Sequence, residues 1–65
     1  MRLTDFWGRM NEVFGPDYAA SVASDQVLTP LGRTIKTAIA EGEDVGVIWR
    51  AVVAQYEDRI PARLK

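Results

Sequence analysis

Few residues in this chain carry side chains suited to nucleophilic or acid–base chemistry. The sequence has no histidine, the commonest general base, and no cysteine, which excludes thiolate nucleophiles, thiolate metal sites and disulfides. The remaining nucleophiles are Ser21, Ser24 and the threonines, and no recognisable catalytic motif accompanies them. We therefore expect no catalytic residues and predict that the protein is not an enzyme.

An acidic turn formed by Glu41, Glu43 and Asp44 is the strongest candidate for a cation site. Carboxylates suit hard cations, but the segment lacks the twelve-residue ligand loop of an EF-hand. Asp44 directly precedes a helical pattern, where a carboxylate accepts hydrogen bonds from free backbone N–H groups and is favoured by the helix dipole. Helix capping accounts for these acids, so we predict neither a bound metal nor a cofactor.

The spacing of Thr34, Ala38, Gly42 and Ile48 matches a helix-turn-helix motif, whose second helix enters the major groove of DNA. The charges fit this motif less well. Two acids stand at the start of the supposed recognition helix, and its outward face carries a single cation, Arg50. Phosphate contacts supply a large share of DNA affinity, and a plain corner between two helices needs the same small residue and glycine. DNA binding is therefore kept as the alternative.

Six aromatic residues recur at helical spacing among aliphatic ones. Such a set can line a groove for a partner peptide or for stacked bases, or it can fill the core. In so small a chain apolar side chains are scarce relative to the volume to be filled. The core interpretation is favoured, with Trp7 or Tyr18 left partly exposed. The six are Phe6, Trp7, Phe14, Tyr18, Trp49 and Tyr56.

One small domain must position all these residues. The chain has 65 residues, of which 48% are hydrophobic and 26% charged, and its net charge is -1. This composition is typical of a globular domain, and the charge does not indicate a polyanionic partner. A core of this size supplies roughly 3–5 kcal/mol of net stability, so nearly all apolar side chains should be committed to folding. We predict a single domain over residues 1–65, with residues 59–65 a frayed basic tail.

Hydrophobic periodicity is clearest in the segment Val45–Tyr56, which we predict to be the core-forming helix. Ile48, Trp49 and Val52 recur on one face of this segment, at the spacing of an amphipathic helix. Asp44 is the predicted N-cap of this helix.

Punctuating residues set the bounds of the other helices. Thr4 and Thr34 are suitable N-caps, while Gly15 ends the first helix and Pro16 begins the second. Thr29 and the proline after it end or interrupt the second helix. The predicted fold is all-α, a compact bundle of three main helices plus one short helix. The predicted helices cover residues 5–14, 17–28, 35–41 and 45–57.

Neither a signal peptide nor a membrane span is expected. Arg2, Asp5 and Arg9 interrupt the first ten residues, and no apolar region follows them. The longest runs without charge, Tyr18–Ser24 and Gln26–Gly32, fall far short of the ~20 residues that a spanning helix needs. We expect a cytoplasmic protein.

Two blocks of the chain resemble a family of small actinobacterial proteins of unknown function. The blocks are MRLTDFWGRMNEVFGPDYA and, later, LGRTIKTAIAEGEDVGVIWRAV, and together they cover 41 of the 65 residues (19 plus 22). The resemblance implies a compact helical domain without an established activity. The family's genes are often neighbours of those for recombinase A and its regulator RecX, which implies a link to DNA repair. The family has a second glycine where this chain has only Gly32, which implies a tighter loop.

The sequence therefore predicts a non-enzymatic helical interaction module that binds another protein. Small size, near-neutral charge and outward apolar residues favour a protein partner over nucleic acid or a membrane. The predicted contact residues are Arg33, Lys36, Val47 and Arg50. The alternative is a DNA-binding, helix-turn-helix-like module built from the helices at residues 35–41 and 45–57, acting in DNA repair. The oligomeric state is left open.

Overall fold

A computed structural model describes all 65 residues and is mostly helical, as predicted. A two-stranded antiparallel sheet lies between the second and third helices, and two short 3-10 turns follow the fourth. No helix combines the length and apolarity needed to cross a membrane. The elements are α1 (Leu3–Phe14), α2 (Pro16–Asp25), β1 (Val27–Leu28), β2 (Arg33–Thr34), α3 (Ile35–Ala40), α4 (Val45–Gln55) and the 3-10 turns Glu57–Arg59 and Ala62–Leu64.

Helix α1 begins two residues earlier than predicted, with Arg2 rather than Thr4 at the cap position. The Arg2 backbone N–H donates to the Asp5 carboxylate at 3.4 Å, so the acid in the first turn reaches back over the helix start. At the other end, Gly15 has a φ of 83° and its N–H donates to the carbonyl of Asn11. This left-handed conformation suits glycine, and Pro16 starts α2 at once, as predicted.

Helix α2 ends at Asp25, three residues before the predicted end. Val27 and Leu28 become extended and pair with Thr34 and Arg33, forming a small sheet that was not predicted. The side chain of Gln55 fixes this sheet to α4. Its carbonyl oxygen accepts a hydrogen bond from a backbone N–H of the connecting loop at 2.6 Å, and its amide donates to the Val27 carbonyl at 3.0 Å. Tertiary bonds therefore override the helical pattern after Asp25.

The predicted N-caps of α3 and α4 are confirmed. The Thr34 hydroxyl accepts a hydrogen bond from the Thr37 N–H at 3.1 Å, and the Asp44 carboxylate accepts one from the Val47 N–H at 3.2 Å. Gly42, at a φ of 80°, turns the chain between the two helices. Both helices end slightly early, α3 one residue and α4 two residues before the predicted end.

Five of the six aromatic residues belong to the core or pack against it, as the core interpretation predicted: Phe6, Phe14 and Trp49 are buried, and Trp7 and Tyr56 are partly buried. Phe6 lies at its centre and meets Trp7 and Trp49 edge to face, with ring centroids 5.4 Å and 5.9 Å apart. Tyr18 is 51% exposed and Trp7 is partly exposed, again as predicted. The buried residues are Phe6, Met10, Phe14, Ala19, Val22, Ala23, Leu28, Ile35, Ala38, Ile48, Trp49, Ala51, Val52 and Ile60.

The tail over residues 59–65 packs against the bundle, in contrast to the frayed tail expected from the sequence. Ile60 is 4% exposed, and the indole N–H of Trp49 donates to the Leu64 carbonyl at 2.8 Å. Arg63 pairs with Glu12 of α1. The charges of the tail suggested fraying, but its large apolar residues Ile60 and Leu64 supply core surface that the short helices lack.

Candidate docking groove

An open groove of about 450 Å³ lies where α1, α2 and α3 meet. Four of its six lining residues are hydrophobic. We call it the α1–α2–α3 groove, and its lining residues are Trp7, Ala20, Ala23, Ser24, Lys36 and Ile39.

Small side chains on α2 create this groove. Ala23 is buried, whereas Ala20 and Ser24 lie next to it on the same helix and are exposed. These short side chains leave space that Trp7 on α1 and Ile39 on α3 flank without filling. Because alanine and serine have short side chains, the backbone of a bound segment can approach the α2 backbone closely.

Trp7 is the largest side chain in the groove. One edge of its ring is fixed against Phe6, but its side chain is only partly buried. Its indole N–H has no hydrogen-bond acceptor in the protein, unlike that of Trp49. A rigid, partly exposed tryptophan with a free donor is typical of side chains that anchor protein interfaces.

The polar groups of the groove are Lys36 and Ser24. Lys36 is exposed and lies within 4 Å of no acidic oxygen. The Ser24 hydroxyl donates to the carbonyl of Ala20 at 3.1 Å, which leaves its oxygen lone pairs free. The groove therefore offers a cation, a neutral donor and a weak acceptor on an apolar surface.

This arrangement suits docking better than chemistry. A small-molecule site normally encloses most of its ligand, whereas this groove is open to solvent. It contains no carboxylate, and no group of three or more acids in the molecule lies close enough together to hold a metal ion. Its only hydroxyl nucleophile is Ser24, whose Oγ lies 3.2 Å from the carboxylate of Asp25, just outside the lining.

A second concavity, of about 410 Å³, follows the end of α4 and is lined by residues 54–59. Only two of its six lining residues are hydrophobic. The guanidinium of Arg59 lies over the rings of Phe14 and Tyr18, with its central carbon 5.0 Å and 5.5 Å from the ring centroids. One face of these rings is thus already occupied by a cation of the chain itself, although Tyr18 remains 51% exposed.

Comparison with known proteins identifies the family of this chain. The model of a family described as "Protein of unknown function (DUF3046)" matches residues 1–63. The chain belongs to this family. No curated protein and no solved structure matches the chain. The DUF3046 match spans both sequence blocks and also the segment between them, so it covers all four helices and the small sheet.

Arg33, a predicted contact residue of this DUF3046 domain, is engaged within the molecule. Its guanidinium pairs with Glu41 at 3.1 Å and with Glu43 at 2.5 Å, and its side chain is 34% exposed. These ion pairs connect β2 to the acidic turn after α3. The turn predicted to cap α4 therefore also neutralises the cation that was expected to contact a partner.

The other three predicted contact residues lie in different settings. Val47 is partly buried, and its backbone N–H is bonded to the cap of α4. Arg50 is exposed on α4, near Gly46. Lys36 is the only predicted contact residue that lines the groove. No hydrogen bond or ion pair joins any two of the four.

Sequence reasoning missed most of the groove in this DUF3046 domain. It singled out Trp7 as an edge aromatic and Lys36 as a contact residue, but it gave no binding role to the small residues of α2. A signal was present: Ala20 and Ser24 stand four residues apart, beside the inward positions Ala19 and Ala23. Small residues next to the inward face of a helix leave a depression when the neighbouring helices carry large side chains.

Proposed function

We propose that this DUF3046 domain is a small non-enzymatic interaction module that binds another protein through the α1–α2–α3 groove, in the cytoplasm. The observation that carries this proposal is the partly exposed Trp7. It stands beside small and apolar side chains, and the chain itself leaves its indole N–H without an acceptor. A partner segment in the groove would cover the ring and supply that acceptor.

The size of the chain supports this proposal. A 65-residue domain needs almost every large apolar side chain for its own core. Because Trp7 is partly exposed at the junction of three helices, it contributes less buried apolar area to a core that is already small. Tryptophan is also strongly enriched among the few residues that dominate binding energy at protein interfaces. A docking function explains why this ring lies at the surface.

DNA binding is the alternative, and it has weaker support. The helix-turn-helix interpretation needs phosphate contacts from Arg33, Lys36 and Arg50. Arg33 is neutralised by two carboxylates, and no contact joins it to the other two cations. The DNA-repair context implied by the resemblance fits a protein partner in that context equally well.

A matched pair of surface substitutions tests the proposal. Ala20 lies in the groove and Ala54 lies in the second concavity, and both are exposed alanines within helices. Ala20→Arg would block the groove without removing core volume, whereas Ala54→Arg makes the same change elsewhere. Wild type and both variants are immobilised, and the proteins that each retains from cell lysate are compared by quantitative mass spectrometry.

We expect a defined protein to be retained by wild type and by Ala54→Arg, and to be reduced at least tenfold by Ala20→Arg. Equal retention by both variants would contradict docking in the groove. Circular dichroism confirms that both variants fold. A mobility shift with duplex DNA that weakens as salt rises, and that disappears in Arg50→Glu, would instead support the DNA-binding alternative.

A further inference from the structure

Lys36 is a cation of the groove that has neither an ion-pair partner nor an aromatic ring beneath it. Three of the eight cations form ion pairs and two lie over aromatic rings, so three remain without either partner. Of these three, Arg2 and Arg50 lie outside the groove, and Lys36 alone lines it. An ammonium group beside apolar surface binds a carboxylate more strongly once a partner excludes water from the pair.

Donors outnumber acceptors among the polar groups of the groove. The Trp7 indole N–H is a second donor without an acceptor, whereas Ser24, whose hydrogen has acceptors within the chain, offers only a weak acceptor. The acid that follows Ser24 on α2, Asp25, forms no ion pair with Lys36. The complement of the groove should therefore bring mainly acceptors.

The groove also restricts the backbone of its occupant. An extended peptide gains affinity by pairing with the exposed edge of a sheet. Here side chains from three helices form the lining, and the helix backbones bond within themselves. An occupant must therefore satisfy its own backbone groups, and an α-helix does so everywhere except in its first and last turns. The low surface over Ala20 and Ser24 leaves room for the close approach of such a helix.

We infer that the α1–α2–α3 groove takes an amphipathic helix of a partner protein, which places apolar side chains between Trp7 and Ile39 and a carboxylate beside Lys36. This inference rests on the proposed function and specifies the partner. The exposed large apolar side chains of the chain itself are Met1 and Leu3 at its start, Tyr18, which lies under Arg59, and Val27 on the small sheet. No helix of the chain carries two of them, so a second copy is a poorer occupant.

The test uses a displayed library of helical peptides in which one helix face is randomised. Wild-type protein should select apolar residues three and four positions apart together with Asp or Glu at a flanking position. Lys36→Glu should select Lys or Arg at that flanking position instead. Arg50→Glu is the matched control, since it reverses another unpaired cation outside the groove, and it should select the same peptides as wild type.

The affinities of the selected peptides are then measured for the wild-type protein and for Lys36→Glu. We expect a peptide chosen by wild type to bind Lys36→Glu at least tenfold more weakly, and replacement of its acid by lysine to restore binding to that variant. Nuclear magnetic resonance locates the peptide, because the Trp7 indole N–H should shift on binding while that of Trp49, bonded to Leu64, should not.

The outcomes separate this inference from the proposed function. Peptides that shift the Trp7 resonance but show no preference for acids would overturn the inferred charge of the partner and leave the docking function standing. Selection of no peptide that shifts Trp7 would overturn the docking function at this groove. Sedimentation showing a dimer that Ala20→Arg disrupts would identify a second copy as the occupant and overturn the inferred partner.

Discussion

Trp7 and Trp49 both pack against the ring of Phe6, but they differ in burial and in hydrogen bonding. Both meet Phe6 edge to face. Trp49 is 3% exposed, its indole N–H is bonded to the tail, and Arg9 lies over its ring at 5.6 Å. Trp7 is partly exposed and its indole N–H has no acceptor.

The C-terminal residues cover only one of the two tryptophans. They lie on the Trp49 side, where Ile60 is buried and Leu64 packs against the core. The Trp7 side faces the open groove, whose other lining residues are the small residues of α2 together with Lys36 and Ile39. Trp49 is therefore expected to contribute mainly to folding and Trp7 mainly to binding. Substitutions at the two positions should accordingly differ in their effect on stability.

Trp49→Ala should have the largest effect. Loss of a buried tryptophan typically costs about 3–5 kcal/mol, and a core of this size supplies about that much in total. We expect the variant to lose cooperative unfolding in urea and much of its helical circular dichroism. Cooperative unfolding at nearly the wild-type urea midpoint would contradict the role assigned to Trp49.

Removal of residues 61–65 should have the next largest effect. The deletion removes the acceptor of the Trp49 indole N–H and lets water reach the ring, and loss of this hydrogen bond and of apolar cover should cost about 1–3 kcal/mol. We expect a lower urea midpoint and a red shift of tryptophan fluorescence. Arg63→Ala is the control, because its exposed ion pair with Glu12 should contribute about 0–1 kcal/mol. Equal losses in both variants would show that charge, rather than cover of Trp49, holds the tail.

Trp7→Ala should cost less than either. Full burial of a large apolar side chain is worth about 1.5–3 kcal/mol, and Trp7 gains only part of that, so we expect a loss of about 1–2 kcal/mol. The variant should unfold cooperatively and lose partner binding. A loss of stability as large as that of Trp49→Ala would remove the contrast between the two tryptophans.

Gly8→Ala should have the smallest effect, and of opposite sign. Gly8 lies within α1, and an added Cβ atom would meet nothing within 4 Å. Alanine is favoured over glycine inside a helix by about 0.5–1 kcal/mol, so thermal unfolding should shift upwards. Gly15→Ala is the control and should destabilise the protein, because the φ of Gly15 is 83°. A lower melting temperature for Gly8→Ala would show that α1 needs glycine at this position.

The helices were largely predictable because their signals are local. Asp44 and Thr34 cap the helices that follow them, and Gly15 with Pro16 separates α1 from α2, as the residue types indicate. The pairing of β1 with β2 was not predictable in this way. A strand of two residues has no periodicity, and its position depends on the Gln55 side chain more than twenty residues further along the chain.

The groove was less predictable than the fold. Lys36 was singled out by its charge and Trp7 by its size, but a groove is a space between three helices. Arg33 is the opposite case, a predicted contact residue that the fold engages internally. Its charge suggested a binding surface, and only the folded turn brings Glu41 and Glu43 around it. Residue type predicts what a side chain can bind, whereas packing decides whether an internal partner has already bound it.

The contact between Arg63 and Glu12 also has a consequence for folding kinetics. It joins residues 51 positions apart, while the contacts between α1 and α2 are local. Closing a long loop costs more entropy than closing a short one, so the tail should dock after the helices have associated. Interactions that form after the transition state act on the unfolding rate. Weakening the tail contacts is therefore expected to speed unfolding and to leave the folding rate nearly unchanged.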